Sequence, residues 1–224
     1  MNHGITIAVV SAGVSDPSST RLLADRTAQR SVDVLRELGV PATITVVELA
    51  PIATDIARSL VSGLASDEVT SAIQRLAAAD AIIVATPVYK AGISGLLKSF
   101  ADLVDDDLLI AKPVVLAATG GTARHAMVVD EQLRPLFAFL RAIPVPTSLY
   151  AAPEDWGSTD LGKRITRAAT ELAVLVRSSV PRDIAEQNWQ SYQHRFNGNA
   201  TRTEKSSADV DFDTDLMRLA AGGN

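Results

Sequence analysis

The feature that most restricts this chain is a repeated alternation of solid apolar runs with helical patterns. "ITIAVVSAG" (5–13), "ATITVVEL" (42–49), "DAIIVATPVY" (80–89), "KPVVLAATGG" (112–121) and "VPTSLYA" (145–151) are rich in β-branched residues and almost free of charge. They do not alternate apolar with polar, so both faces of each strand must be covered. Between them lie segments with apolar residues three and four apart, over 20–38, 67–78, 94–104, 124–141 and 161–176. Strand and helix in strict succession predict an α/β fold: a doubly wound, five-stranded parallel sheet with helices on both faces. Gly39 and Pro41 close the first helix, Asp67 is placed to cap the second, and Pro135 predicts a kink or local widening inside 124–141. Residues 50–66, with Pro51 and Gly63, read as irregular. From Arg182 the composition turns polar. The expected organisation is therefore one domain over 1–180 and a polar C-terminal extension over 181–224, partly helical or disordered, with a short helix near 213–221.

Composition removes several classes of function. The net charge of −5 without a basic stripe argues against a nucleic-acid partner. No apolar run approaches the roughly 18 residues of a membrane span. The N-terminus has neither a basic region nor a small-residue cleavage site, so the expectation is a cytoplasmic protein. There is no cysteine, which excludes disulfides, thiolate nucleophiles and Cys-ligated zinc. Three histidines far apart in sequence make a His-based metal site improbable, and no metal is expected. The segment "DVDFDTD" (209–215) imitates the start of a calcium loop, but Thr214 and Ala220 stand where Gly and Glu are needed.

In an open parallel sheet the ligand lies beyond the carboxyl ends of the strands. Three loops are thereby singled out. The first, "SAGVSDPSSTR", carries Ser11, Ser15, Ser18, Ser19 and Thr20 into a helix start, with Arg21 next to them. One hydroxyl would be an ordinary cap; five within ten residues favour a phosphate at the helix N-terminus. The Gly-x-x-x-x-Gly-Lys loop, the Gly-x-Gly-x-x-Gly fingerprint and the acidic cluster of a receiver domain are all absent. The second loop, Thr86-Pro87-Val88-Tyr89-Lys90, supports two readings: a stiff segment presenting backbone and an aromatic edge to a flat ring, or a strand end with Tyr89 as packing. The third, Thr119-Gly120-Gly121-Thr122, either lets a ligand approach the backbone or is a bare turn. Arg124 and His125 follow it, and His125 fits a surface or capping position better than a catalytic one.

Taken together and in this order, "VVSAGVSDPSSTRLLAD", "IIVATPVYKAGISGLLKSFAD" and "PVVLAATGGTARHAMVVDEQLRPLFAFLRA" resemble the NADPH-dependent FMN reductase family of flavodoxin-like proteins. The likeness is closest to the reductases that serve luciferase-like and sulfonate monooxygenases, and it extends over about 5–178. The resemblance implies strand order 2-1-3-4-5, FMN at the carboxyl edge and NADPH as reductant. It implies that Ser11, Ser18, Ser19 and Thr20 hold the flavin phosphate. Pro87, Val88, Tyr89 and Lys90 would line the ring, with Thr119, Gly120, Gly121 and Thr122 along its other edge. The first loop departs from the Gly-Ser-x-Arg form of many relatives, which leaves Ser15 and Arg21 unassigned. The flavin would carry the chemistry, so no residue is assigned as general acid or base. Free flavin is the implied substrate, a flavin-dependent monooxygenase the implied partner, and a homodimer or homotetramer the implied assembly. A quinone or azo reductase, a flavodoxin-like electron carrier and a flavin-free protein are the rival readings on this fold.

Overall fold

A computed structural model describes residues 4–188. The parallel core of the sheet is built from β1 (Ile5–Ser11), β2 (Ala42–Glu48), β3 (Ala81–Tyr89) and β5 (Pro113–Thr119), with two short strands, β6 (Ile143–Pro144) and β7 (Leu149–Ala151), completing its far edge. The order is β2-β1-β3-β5-β6, and β7 pairs with β5 further along. The expected 2-1-3-4-5 arrangement is present, with the fifth position occupied by two pieces rather than one. Pro144 ends the first piece and Pro146 lies within the break, and a proline cannot donate to a ladder. One further strand, β4 (Gly92–Ile93), turns back antiparallel on the end of β3.

The solid apolar runs follow from two covered faces. On β3, Ile82 and Val84 point to one core and Ile83 and Ala85 to the other; on β5, Val114 and Leu116 oppose Val115 and Ala117. The second core is closed by α1 (Ser19–Glu37) and α6 (Thr159–Arg177), through Leu23, Leu35, Ile165 and Leu172. The first is closed by α2 (Ala53–Ser62), α3 (Asp67–Ala78), α4 (Gly95–Ala101) and the segment after β5. Helix α3 is capped by Ser66, whose hydroxyl accepts from Val69 N, and not by Asp67, which opens its first turn.

Two segments differ from expectation. Residues 53–62 form α2 where an irregular segment was expected. Pro51 precedes the helix instead of breaking it, and Gly63 ends it in the left-handed region at φ 71°. The expected helix over 124–141 is three pieces: a 3-10 turn (Ala123–His125), a π-helical turn (Val129–Leu133) and α5 (Arg134–Phe139). The widened turn lies where Pro135 demanded one. Arg134 N donates to Val129 O, five residues back, and the proline occupies the first turn of α5, where its missing N–H costs nothing. Helix α7 (Val180–Asn188) follows α6 at the expected domain boundary; the short helix expected near 213–221 lies outside the described residues.

Candidate functional site at the carboxyl edge of the sheet

The strand register sets the site. Ser11 lies beside Ala85 and Glu48, and Pro87 beside Thr119, which is itself opposite Ala151. The loops after β1, β3 and β5 therefore leave the sheet at one edge.

After β1 the chain folds back tightly on the start of α1. Ala12 N donates to Ala85 O at 2.9 Å. A Cβ at Gly13 would overlap Ser18 Oγ and stand 3.1 Å from Thr20 Cβ, so only glycine allows this approach. Ser18 caps α1, its hydroxyl accepting from Arg21 N at 3.1 Å. The N–H groups of Ser19 and Thr20 lie in the first turn, where a helix offers them no acceptor. The four hydroxyls differ in availability. Ser19 is exposed and Ser18 half-buried. Ser11 and Thr20 are buried, and Thr20 Oγ1 shares a 2.7 Å hydrogen bond with Thr119 Oγ1 that ties the first loop to the third. Arg21 is committed elsewhere: its guanidinium pairs with Asp25 at 2.7 Å and with Glu48 at 2.6 Å. Its charge is matched within the protein, so the groups of this loop still able to donate are hydroxyls and first-turn amides.

After β3 the chain does not wander as a loop. Val88 and Tyr89 continue the strand and pair with Ile93 and Gly92, and Lys90-Ala91 make the two-residue turn between them. Both turn residues have positive φ, 50° and 62°, as a type I′ hairpin requires. Neither is glycine, and each such conformation costs about 1 kcal/mol or more. Inside the hairpin, Thr86 Oγ1 accepts from Ser94 N at 3.1 Å and donates to Pro87 O at 3.0 Å. Outside it, the Gln132 side chain accepts from Ile93 N and donates to Ala91 O, both at 3.1 Å. Pro87 is buried in the strand, Val88 half-buried, and Tyr89 and Lys90 are exposed at the tip. Tyr89 ends β3 and is about half covered, which fits both the ring-lining and the half-buried packing reading.

The two glycines of the third loop differ. A Cβ at Gly120 would overlap the Tyr150 hydroxyl, stand 3.2 Å from its Cζ and 3.5 Å from Val88 Cβ. Gly120 therefore makes room for Tyr150, a protein side chain, and not for a ligand. Tyr150, buried in the middle of β7, donates to Thr122 O at 2.6 Å. Burial and the nearby Glu154 and Asp155 push its phenol above the ordinary value, so it remains the donor. Gly121 has nothing within 4 Å of its Cβ position: this is the open side of the turn. Thr122 caps the 3-10 turn that holds Arg124 and His125. Tyr150 and Gln132 were not anticipated, and Thr86 was named with the second loop but given no role. A hydroxyl-bearing aromatic within a strand at the ligand edge was the signal available for Tyr150; Gln132 has none.

A cleft of about 650 Å³ lies at the opposite edge of the sheet, among residues of the β5 start, α6 and α7. Its half-buried lysine, Lys112, already donates to Ala77 O and Ala79 O at 2.7 and 2.5 Å. Burial holds that ammonium below its ordinary range, partly offset by Asp80. Volume alone does not make a site, and the hydroxyls, free amides and open glycine are gathered at the carboxyl edge. Among the described residues no cluster of three or more His, Asp or Glu suits a metal, and no helix is long and apolar enough to cross a membrane.

The chain is similar to known proteins over most of its length. The profile of the family described as NADPH-dependent FMN reductase matches residues 5–157. An FMN reductase (NADPH) of Pseudomonas aeruginosa is 39% identical over 182 residues, covering 78% of this chain and 94% of that protein. The NADH-dependent FMN reductase SfnF of Pseudomonas fluorescens is 36% identical over 175 residues, covering 77% and 90%. Among solved structures, an oxidoreductase from Corynebacterium diphtheriae superimposes with a TM-score of 0.75 at 40% identity, covering 78% of this chain and 97% of that one.

Proposed function

Because the chain belongs to the NADPH-dependent FMN reductase family, we propose that it catalyses reduction of FMN by NADPH or NADH and releases the reduced flavin. The observation that carries this reading is the gathering, at one sheet edge, of a hydroxyl-lined helix N-terminus, a hairpin with an exposed aromatic tip and the open side of Gly121. That set fits a ligand with an anionic end and a flat ring.

FMN, when bound, supplies the hydride acceptor. The protein's residues bind and orient. Ser18, Ser19 and Thr20, with the first-turn amides and Ser11 beneath them, hold the phosphate. Pro87, Val88, Tyr89 and Lys90 line one side of the ring, and Thr119, Gly121 and Thr122 the other. Gly120 serves through Tyr150, which pins the turn by its bond to Thr122 O. The space beside Gly121 is where a nicotinamide has room to stack. No acid or base is needed among these residues, and with no cysteine in the chain no thiol relay competes.

The same proposal extends to a flavin-dependent monooxygenase as recipient of the reduced flavin, to a cytoplasmic location, and to residues 181–224 as an extension of the flavin-binding domain. It also includes a homo-oligomer. Met127 and Phe139, on the segment after β5, are 56% and 67% exposed, which is apolar area a neighbouring copy would cover. Comparing affinity for FMN and riboflavin tests the phosphate assignment, since only FMN carries that group. Tighter binding of FMN is expected, and equal binding of both would refute it.

A further inference from the structure

We propose that Gln132 is a positioning residue that sets the ring-side wall of the flavin site by clamping the hairpin between β3 and β4. The inference rests on the flavin reading above. Three observations on this chain point to it. The hairpin turn is Lys90-Ala91, both in the left-handed region, without the Asn-Gly or Asp-Gly that would specify such a turn locally. Its shape has to be imposed from outside. Gln132 does so with both ends of its amide: Oε1 accepts from Ile93 N and Nε2 donates to Ala91 O, so one side chain bridges the turn and the returning strand. Gly92 leaves the space for it, since a Cβ there would stand 3.2 Å from Gln132 Oε1.

The base of the clamp is itself anchored. Gln132 lies in the π-helical turn, between Asp130 and Arg134. Arg134 donates to Val145 O, Pro146 O and Ser148 Oγ, and pairs with Asp130. The wall carrying Tyr89 is thus tied through Gln132 to the far edge of the sheet. An exposed glutamine is ordinarily a solvated surface residue; here both polar ends are spent on the backbone of one hairpin. The clamp does not touch the first loop, so its loss should act on the ring and not on the phosphate.

The test uses the full chain with Gln132→Met, which keeps length and removes both bonds, and Gln132→Glu, which keeps an acceptor and loses the donor. In flavin-free protein, exchange of the Ile93 amide should quicken about tenfold in Gln132→Met. The Kd for FMN and for riboflavin should rise by the same factor, about tenfold, with Gln132→Glu intermediate. Unchanged Ile93 exchange together with unchanged affinities in Gln132→Met would overturn the assignment. So would a loss confined to FMN, which would place the effect at the phosphate. A wild-type protein that binds neither flavin overturns the function proposed above and this inference with it; wild-type binding that Gln132→Met leaves intact overturns this inference alone.

Discussion

Gly120→Ala and Gly121→Ala, adjacent and chemically identical substitutions, should behave in opposite ways. At Gly120 the new methyl would overlap the Tyr150 hydroxyl and press to 3.2 Å from Cζ. The ring cannot swing into water, because Tyr150 is only 5% exposed. It has to shift, which breaks its hydrogen bond to Thr122 O, worth about 1 kcal/mol. The overpacking adds about 1–3 kcal/mol. The expected loss is about 2–4 kcal/mol, or roughly 4–16 °C in Tm for a chain of this size. At Gly121 the methyl enters open space and φ is not positive, so stability should change by no more than about 0.5 kcal/mol. That methyl should instead crowd the ring and weaken flavin binding. Urea unfolding gives the first quantity and flavin titration the second. A double-mutant cycle with Tyr150→Phe sharpens the assignment, because removing the hydroxyl should make Gly120→Ala cheaper. A Gly120→Ala protein as stable as wild type, or equal destabilisation by both variants, would refute the reasoning.

Ser19→Ala should weaken FMN more than riboflavin with stability unchanged, since Ser19 is exposed; Ser18→Ala should also cost about 1 kcal/mol in urea unfolding through loss of the helix cap. Burial alone would raise the Asp130 carboxyl, but the Ser148 hydroxyl and the Arg134 guanidinium outweigh it and hold the group below its ordinary 3.8. A depressed carboxyl contributes stability above its unfolded value and loses it as pH falls through the folded one. Asp130→Asn should therefore lower the urea midpoint slightly at pH 7, the side chain being 44% exposed, and the difference should vanish in acid; a difference that persists in acid would contradict the linkage. Sedimentation at micromolar concentration should give a multiple of the 23.7 kDa chain mass, and the chain mass itself would contradict the oligomer.

The layer architecture was legible because burial on both faces leaves a solid apolar run, as in 81–85, and such runs recur here in alternation with helical patterns. The three loops were legible because the topology brings the ends of β1, β3 and β5 to one edge. Helix α2 was hidden by its narrow buried stripe, essentially Ile56 and Ser59, and by a first residue without a side-chain cap. The hairpin at Lys90-Ala91 was hidden because its turn is held by Gln132, about forty positions away, and not by its own residue types. The same reason conceals the meaning of Gly120: its requirement comes from Tyr150, thirty residues on, and nothing local distinguishes it from Gly121. Arg21 was left unassigned by sequence, and its ion pairs with Asp25 and Glu48 depend on the tertiary position of β2.

The most direct test is steady-state oxidation of NADPH and NADH by the purified protein, with free FMN set against a panel of quinones at matched concentrations. FMN should act as a dissociable, saturable acceptor whose reduced form accumulates free in anaerobic solution. Much faster reduction of a quinone, with FMN held tightly and never released, would contradict the flavin-reductase reading, as would the absence of turnover with every acceptor.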